Sequence, residues 1–61
     1  MKHKVYHGHL YRLDRLLAYE WCDQNIGIFG LDWGLGFENF NITYIWFIYD
    51  IDAMAFKLRW I

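Results

Sequence analysis

The spacing of hydrophobic residues changes along this 61-residue chain, and each change of period predicts a new element. Polar and apolar residues alternate from Lys2 to Gly8, which is typical of a short edge strand. The two sides of this strand carry His3, Val5 and His7 on one face, and Lys4 and Tyr6 on the other.

A helical period begins at His9. Four apolar residues then recur at i, i+3, i+7 and i+11, namely Leu10, Leu13, Leu17 and Trp21. At about 100° per residue they form one stripe, and such a stripe typically faces the core. The helix is predicted to stop near Asn25 or Gly27, either of which can adopt a left-handed cap.

Residues 26–37 resemble a strand in composition but contain four glycines. Glycine weakens a strand and often marks a bulge or turn, so we expect this segment to be bent or split near residues 32–36. The pair Gly34 and Gly36 lacks the further glycine, the lysine and the helix start of a phosphate loop. Residues 38–41 then predict a connecting turn.

The strongest strand signal runs from Ile42 to Tyr49, where β-branched and aromatic residues dominate. This strand is apolar on both faces. One face carries Ile45, Phe47 and Tyr49, and the other carries Tyr44, Trp46 and Ile48. If both helices cover the first face, the second stays exposed unless something else covers it.

The last predicted helix runs from Ile51 to Trp60, with Asp50 or Asp52 as its cap. Its apolar residues form two arcs. The larger arc contains Ile51, Met54, Ala55, Leu58 and Ile61, and the smaller arc contains Ala53, Phe56 and Trp60. If the larger arc covers the sheet, the smaller one faces the first helix, solvent or a partner. Alternatively, Phe56 and Trp60 fill the groove between two helices on one face of the sheet.

These elements predict a single domain over residues 1–61 with the order β-α-β-β-α. We expect a two-layer α+β fold, in which two helices lie on one face of a small three-stranded sheet that is antiparallel or mixed. The arrangement would resemble a truncated ferredoxin-like fold.

Size and composition indicate association. A domain of about 60 residues buries roughly 60% of its unfolded surface and is marginal without additional stabilisation. Cys22 is the single cysteine, so an intramolecular disulfide is excluded, and 57% of the residues are hydrophobic. We therefore expect a homo-oligomer, first of all a dimer joined through sheet edges or the open aromatic face. The predicted interaction surface comprises Tyr44, Trp46, Ile48, Phe56 and Trp60.

Single-stranded nucleic-acid binding is the alternative function, with bases stacking on Tyr44 and Trp46. Its positive charge would come from Lys2, Lys4, Arg12 and Arg15. A net charge of -1 and six scattered basic residues argue against a nucleic-acid partner.

The sequence predicts neither a membrane span nor a signal peptide. Thr43 and Asp50 interrupt the longest apolar run, which falls short of the roughly 18 residues of a span. The basic N-terminus is followed by polar residues where a signal peptide would have an apolar core. We therefore expect a cytoplasmic protein without a membrane partner.

Candidate chemistry is sparse. His3, His7 and His9 would share one face of a continuous strand and could bind zinc, but a site needs further ligands, and solvated histidines at a chain end are the plainer interpretation. Cys22 could be a reactive thiol, yet no histidine lies within a helical turn, and a small buried hydrophobe is the commoner role. We expect no enzymatic activity and no cofactor, because no nucleophile, base and orienting group come together.

The C-terminal run from Tyr44 to Trp60 resembles the ending of small uncharacterised proteins of tailed bacteriophages, particularly marine ones. In those proteins an aromatic strand leads through an acidic turn into a helix of the form D-A-x-x-F-x-L-x-W, which Asp52 to Trp60 match here. The segment from Ala18 to Cys22 is similar in character. The resemblance implies a viral or virus-associated origin, a compact α+β fold and, if the protein is viral, a location in the host cytoplasm, and it carries over no activity.

Together these features predict a small non-enzymatic protein that self-associates or binds another protein. In the light of the resemblance it would be a phage accessory factor, and its partner would be a second copy or a host or viral protein.

Overall fold

The computed structural model describes residues 2–7, 10–38 and 41–61. These residues form two helices and three strands, in the order that the sequence predicts. The elements are β1 (His3–Tyr6), α1 (Arg12–Asn25), β2 (Trp33–Glu38), β3 (Asn41–Phe47) and α2 (Asp50–Trp60). The predicted small α+β fold is thereby confirmed.

The sheet has the strand order β1-β3-β2, and both pairings are antiparallel. The most apolar strand, β3, is therefore the central one. Val5 of β1 and Leu35 of β2 both lie opposite Ile45, which fixes the register of the three strands. The finer likeness to a truncated ferredoxin-like fold stays a prediction.

One face of the sheet carries the core, and both helices contribute to it. Ile45 and Phe47 of β3 are fully buried at its centre. The buried hydrophobic residues of the described part of the chain are Val5, Ala18, Cys22, Trp33, Ile45, Phe47, Ala53 and Phe56. Because they form one cluster, the two helices lie on the same face of the sheet, as predicted.

The buried side of α1 differs from the predicted one. Ala18 and Cys22 are fully buried, whereas Leu13 and Leu17 are 74% and 54% exposed. The inner sheet face already carries large aromatic side chains, so α1 turns small residues toward it. Of the predicted stripe, Trp21 packs against the core. The expectation that Leu13 and Leu17 face the core is therefore wrong.

The smaller apolar arc of α2 faces the core and the larger arc faces outward, which is the reverse of the first of the two expectations. Ala53 and Phe56 of the smaller arc are buried, and Trp60 packs beside them. The larger arc faces outward, with Leu58 87% exposed and Ile51 74% exposed. The ring of Phe56 contacts aromatic rings of both α1 and β3, so one large side chain closes the junction of three elements. The alternative interpretation, in which Phe56 fills the groove between the helices, is confirmed.

The predicted end of α1 agrees with the structure, whereas the predicted N-cap of α2 does not. Tyr49 occupies the N-cap position of α2, and Asp50 and Asp52 lie within the first turn. The predicted cap at either aspartate is therefore wrong, although both carboxylates lie where the helix dipole favours negative charge. Helix α1 ends at Asn25, and Gly27 follows with a φ of +153°.

The segment between α1 and β2 is a turn and not the beginning of a strand. The carboxylate of Asp32 accepts a hydrogen bond from the N–H of Ile28 at 2.8 Å, and Gly30 has a φ of +89°. Strand β2 therefore starts only after Asp32, and its register shifts between Gly36 and Phe37. The break predicted near residues 32–36 is thus a turn at one end and a bulge at the other. The predicted strand end at Gly8 and residues 39 and 40 of the predicted turn lie outside the described residues.

The observed orientation of α1 can be tested with two substitutions. Ala18→Leu should lower the free energy of unfolding by about 1–3 kcal/mol, because extra methylene groups must fit at a fully buried position. Leu13→Ala should change it by less than about 0.5 kcal/mol, because that side chain is 74% exposed. Urea denaturation followed by circular dichroism measures both values. A larger loss for Leu13→Ala than for Ala18→Leu would mean that the leucine stripe packs against the core.

Candidate interaction surface

The sheet face opposite the helices carries the aromatic residues that the sequence predicts to be exposed. Tyr44 and Trp46 point to this face, since the residues between and beyond them, Ile45 and Phe47, are buried on the other. Across the three strands, the residues in register are Lys4, Trp46 and Gly34 in one row, and Tyr6, Tyr44 and Gly36 in the next. On this face, both aromatic residues of β3 therefore have a glycine as their neighbour on β2.

The two glycines form a floor beneath the aromatic rings. A Cβ atom at Gly34 would lie 2.2 Å from Cζ2 of Trp46, and one at Gly36 would lie 1.9 Å from Cζ of Tyr44. Both distances are far below van der Waals contact, so a larger residue would displace the ring. Both glycines are buried. In the sequence these glycines predict a weakened strand. In the structure, Gly34 and Gly36 are two residues apart, as are Tyr44 and Trp46, so each glycine lies opposite one ring.

Two lysines cover the same rings. The Nζ atom of Lys2 lies 4.2 Å from the ring centroid of Trp46, and that of Lys4 lies 4.9 Å from the centroid of Tyr44. The ring of Tyr6 meets that of Tyr44 edge-on at 5.7 Å. Cation–π contacts at such sites contribute about 0.5–1 kcal/mol each. The open face is therefore largely covered by the chain's own side chains, and Tyr44 and Trp46 are only partly exposed.

The five residues predicted as one interaction surface do not lie together. Tyr44 and Trp46 are on the open sheet face, and Ile48 follows the end of β3 with 36% of its surface exposed. Phe56 is fully buried in the core on the opposite side of the sheet, so its assignment to a surface is wrong. Trp60 is partly buried beside it and lines a small cleft between α1 and α2.

A different apolar surface lies on the outside of α2. Its exposed apolar residues are Ile51, Met54 and Leu58, together with Ile61 at the C-cap, with 74%, 53%, 87% and 61% of their surfaces accessible. We refer to these four residues as the outer arc. They follow one another at i, i+3, i+7 and i+10, which is the spacing of a heptad seam. The same spacing is visible in the sequence, but there these residues are predicted to cover the sheet and are therefore not predicted as an interaction surface.

Opposite charges lie at the two ends of the same helix. The acidic residues Asp50 and Asp52 are in the first turn of α2, and the basic residues Lys57 and Arg59 are in the last. His3 approaches Asp50, with Nδ1 3.8 Å from Oδ1. The outer arc therefore runs from an acidic end to a basic end, in the sense that the helix dipole favours.

The histidines do not come together as a metal site within the described residues. His7 is fully buried, and its Nε2 lies 2.6 Å from the hydroxyl oxygen of Tyr19. His3 is partly exposed near Asp50, and His9 lies outside the described residues. The part of the chain that the structure describes contains no group of three or more potential metal ligands.

Cys22 has the environment of a structural cysteine. Its side chain is fully buried in the core cluster. Burial, with smaller contributions from Asp23 and Asp52, raises the pKa of its thiol to about 12. The thiol is therefore protonated at neutral pH, and the interpretation as a small buried hydrophobe fits better than that as a nucleophile. Burial also raises the pKa of Tyr19, while nearby Arg15 lowers it.

Comparison with known proteins assigns this chain to no functional class, and the described helices include no membrane-spanning segment. Comparisons with protein-family models, with curated proteins and with solved structures find no match. Across the described residues, neither helix has the length and apolar character required to cross a membrane. The surfaces described above are therefore the basis for a functional proposal.

The packing of rings over glycines can be tested by a double-mutant cycle. Gly34→Ala should destabilise the fold by about 1–3 kcal/mol, because the new Cβ would lie 2.2 Å from the Trp46 ring. In a Trp46→Ala background the same change should cost less than about 0.5 kcal/mol, since the ring is absent and alanine suits a strand better than glycine does. Urea denaturation of the four proteins gives the coupling energy. Equal costs in both backgrounds would contradict the described contact.

Proposed function

We propose that this chain is a small non-enzymatic protein that self-associates through the outer arc of α2. The observation that carries the proposal is the heptad spacing of four exposed apolar residues, three on α2 and one at its C-cap, on the side of the helix opposite the core. Such a helix is two-sided: one side belongs to the fold, and the other is available to a partner helix.

The heptad assignment supports a helix as the partner. When Ile51 and Leu58 are placed at a positions, Met54 and Ile61 fall at d, so the outer arc supplies two a/d layers, the second of which uses the C-cap residue Ile61. The core residues Ala53 and Phe56 then occupy c and f positions, which lie on the far side of such a seam. The seam and the core therefore use different residues of α2.

Charge complementarity favours a second copy in the antiparallel orientation. In a two-fold symmetric pair the same patch is used on both chains, so the acidic first turn of one α2 lies beside the basic last turn of the other. The helix dipoles are then antiparallel, which is also favourable. A parallel pair would bring Asp50 beside Asp50 and Lys57 beside Lys57. We therefore infer an isologous, antiparallel α2–α2 contact.

The small core supplies a reason for association. A domain of about 60 residues is marginally stable, and covering the outer arc would add apolar burial to that of the core. The open-face dimer is less favoured, because the aromatic rings of that face already lie between glycines and lysines. The outer arc is small, so we expect a dissociation constant on the order of micromolar.

We infer a cytoplasmic setting, supported by a free and buried cysteine, which is typical of reducing compartments. The resemblance of residues 44–60 to phage proteins supports the proposal of a phage accessory factor. A host or viral protein is then the competing occupant of the outer arc, and it is an outcome of the following test.

Leu58→Glu should abolish self-association while leaving the fold intact. The side chain is 87% exposed in a single chain, so glutamate is tolerated there, but in the dimer two carboxylates would be brought into an apolar seam. We expect the dissociation constant to rise at least about tenfold. Light scattering over a dilution series gives the mass, and circular dichroism confirms folding.

Leu13→Glu is the matched control, since it places the same charge at a leucine of α1 that is 74% exposed. It should leave the dimer unchanged. Dissociation by Leu13→Glu in place of Leu58→Glu would move the interface to α1. A wild-type protein that remains monomeric at all concentrations would refute self-association and favour a host or viral partner.

Single-stranded nucleic-acid binding remains a second candidate because of one observation. Lys2 and Lys4 lie over Trp46 and Tyr44, so positive charge and aromatic rings occupy the same sheet face. The lysines also occupy the ring surfaces on which bases would stack, and they would have to move aside. This requirement makes self-association the better supported function.

If nucleic acid binds this face, titration with oligothymidylate should quench tryptophan fluorescence, and moderate salt should abolish the effect. Replacing both Lys2 and Lys4 with alanine should weaken binding by roughly tenfold or more at low salt. Lys57→Ala, which removes a lysine from α2, should have a smaller effect. An absence of quenching at low salt would exclude this candidate.

A further inference from the structure

A cleft of about 340 Å³ opens between α1, β2 and the turn that joins them. It is lined by Tyr19, Glu20, Asp23, Phe29, Trp33 and Leu35. None of these residues belongs to the outer arc or to the open sheet face. Any ligand of this cleft is therefore independent of the proposed self-association.

Three aromatic rings shape the cleft. Trp33 is 3% exposed and forms its floor. The ring of Tyr19 stacks against it at a centroid distance of 6.4 Å, and the ring of Phe29 meets it edge-on at 5.1 Å. Phe29 itself is 55% exposed, so it forms an accessible wall.

The turn before β2 holds these rings in place. The indole Nε1–H of Trp33 donates a hydrogen bond to the carbonyl oxygen of Gly27 at 3.1 Å. The N–H of Gly30 donates to the carbonyl oxygen of Trp33 at 2.7 Å, and the positive φ of Gly30 turns the chain so that Phe29 reaches the indole. The Trp33 ring and the backbone of the turn are therefore held by hydrogen bonds within the chain itself.

The charges of the lining are both negative. Glu20 and Asp23 lie one helical turn apart on α1, and both are exposed. Glu20 accepts a hydrogen bond from Gln24 at 3.3 Å, whereas Asp23 makes neither a hydrogen bond nor a salt bridge with the described part of the chain. Arg15 acts electrostatically on Tyr19 but lines a separate cleft. A cation is thus favoured over an anion.

The polar groups within the lining are largely committed elsewhere. The hydroxyl group of Tyr19 is engaged with His7, and the indole N–H of Trp33 with the backbone of Gly27. An ammonium group could pair only those N–H donors that face Glu20 and Asp23, and donors directed among the rings would lose hydrogen bonds to water without gaining new ones. A methylated ammonium avoids this cost, because its methyl groups contact the aromatic walls while its charge faces the carboxylates.

We propose that this cleft binds a methylated ammonium group, carried either by a small choline-like molecule or by a methylated lysine side chain. The rings of Tyr19 and Phe29 supply the cation–π contacts, and Trp33 forms the apolar floor beneath them. Glu20 and Asp23 supply the charge at the rim.

The test is an NMR titration of the wild-type protein that follows the four tryptophan indole N–H resonances. Choline should shift the resonance of Trp33 selectively and should bind roughly tenfold more tightly than dimethylbutanol, in which a carbon atom replaces the charged nitrogen. Equal affinity for the two compounds, or no response of Trp33 to choline, would overturn the proposal.

Asp23→Asn should weaken choline binding about threefold to tenfold, because it removes a charge at the rim. Asp14→Asn is the matched control, since it removes one charge from the same helix at a position outside the lining, and it should leave the affinity unchanged. Both substitutions keep the size of the side chain. Equal losses in the two variants would indicate a general charge effect and would contradict a site at this cleft.

A short peptide with one trimethyllysine among neutral residues distinguishes the two sources of the ligand. Tighter binding of the peptide than of choline assigns the cleft to a methylated protein partner. Tighter binding of choline assigns it to a small molecule, and either result is consistent with the proposed chemistry.

Discussion

The tight packing of large aromatic rings against small residues is the constraint on which this structure depends. In so short a chain the core has room for few side chains, and Trp33, Phe47 and Phe56 are its largest members. The helices complete it mainly with alanine and cysteine, so α1 approaches through Ala18 and Cys22. The same rule holds on the other side of the sheet, where rings of β3 lie over glycines of β2. The longer aliphatic side chains of both helices are consequently left outside.

The element order and the strand faces could be predicted because they depend on local periodicity. Alternation identified β1, and the dense run of β-branched and aromatic residues identified β3. The buried side of each helix could not be predicted in the same way, because α1 and α2 each carry two sets of apolar residues. The choice between Leu17 and Ala18 is made by the volume of side chains on strands distant in sequence.

The candidate site shows the same division. Tyr44 and Trp46 lie on the face that the sequence predicted, but their cover depends on the register with β1 and β2, which one strand does not reveal. Phe56 was assigned to a surface because its arc is the smaller one, whereas burial depends on which rings it can reach. The outer arc is the converse case: its residues are predicted to be buried against the sheet, but they lie outside the core and are exposed.

The central position of β3 also affects how the chain stays soluble while it folds. A long apolar strand is a template for aggregation when either of its edges is free, and here both edges are paired. The strands that form the outer edges are poor templates, since β1 carries Lys4 with Lys2 just before it, and β2 contains two glycines and a bulge. In the native state the strand most prone to aggregation, β3, is paired on both edges by the two strands that are less prone to it, β1 and β2. Before both edge strands have docked, β3 is open on at least one side, so aggregation competes with folding chiefly during that interval.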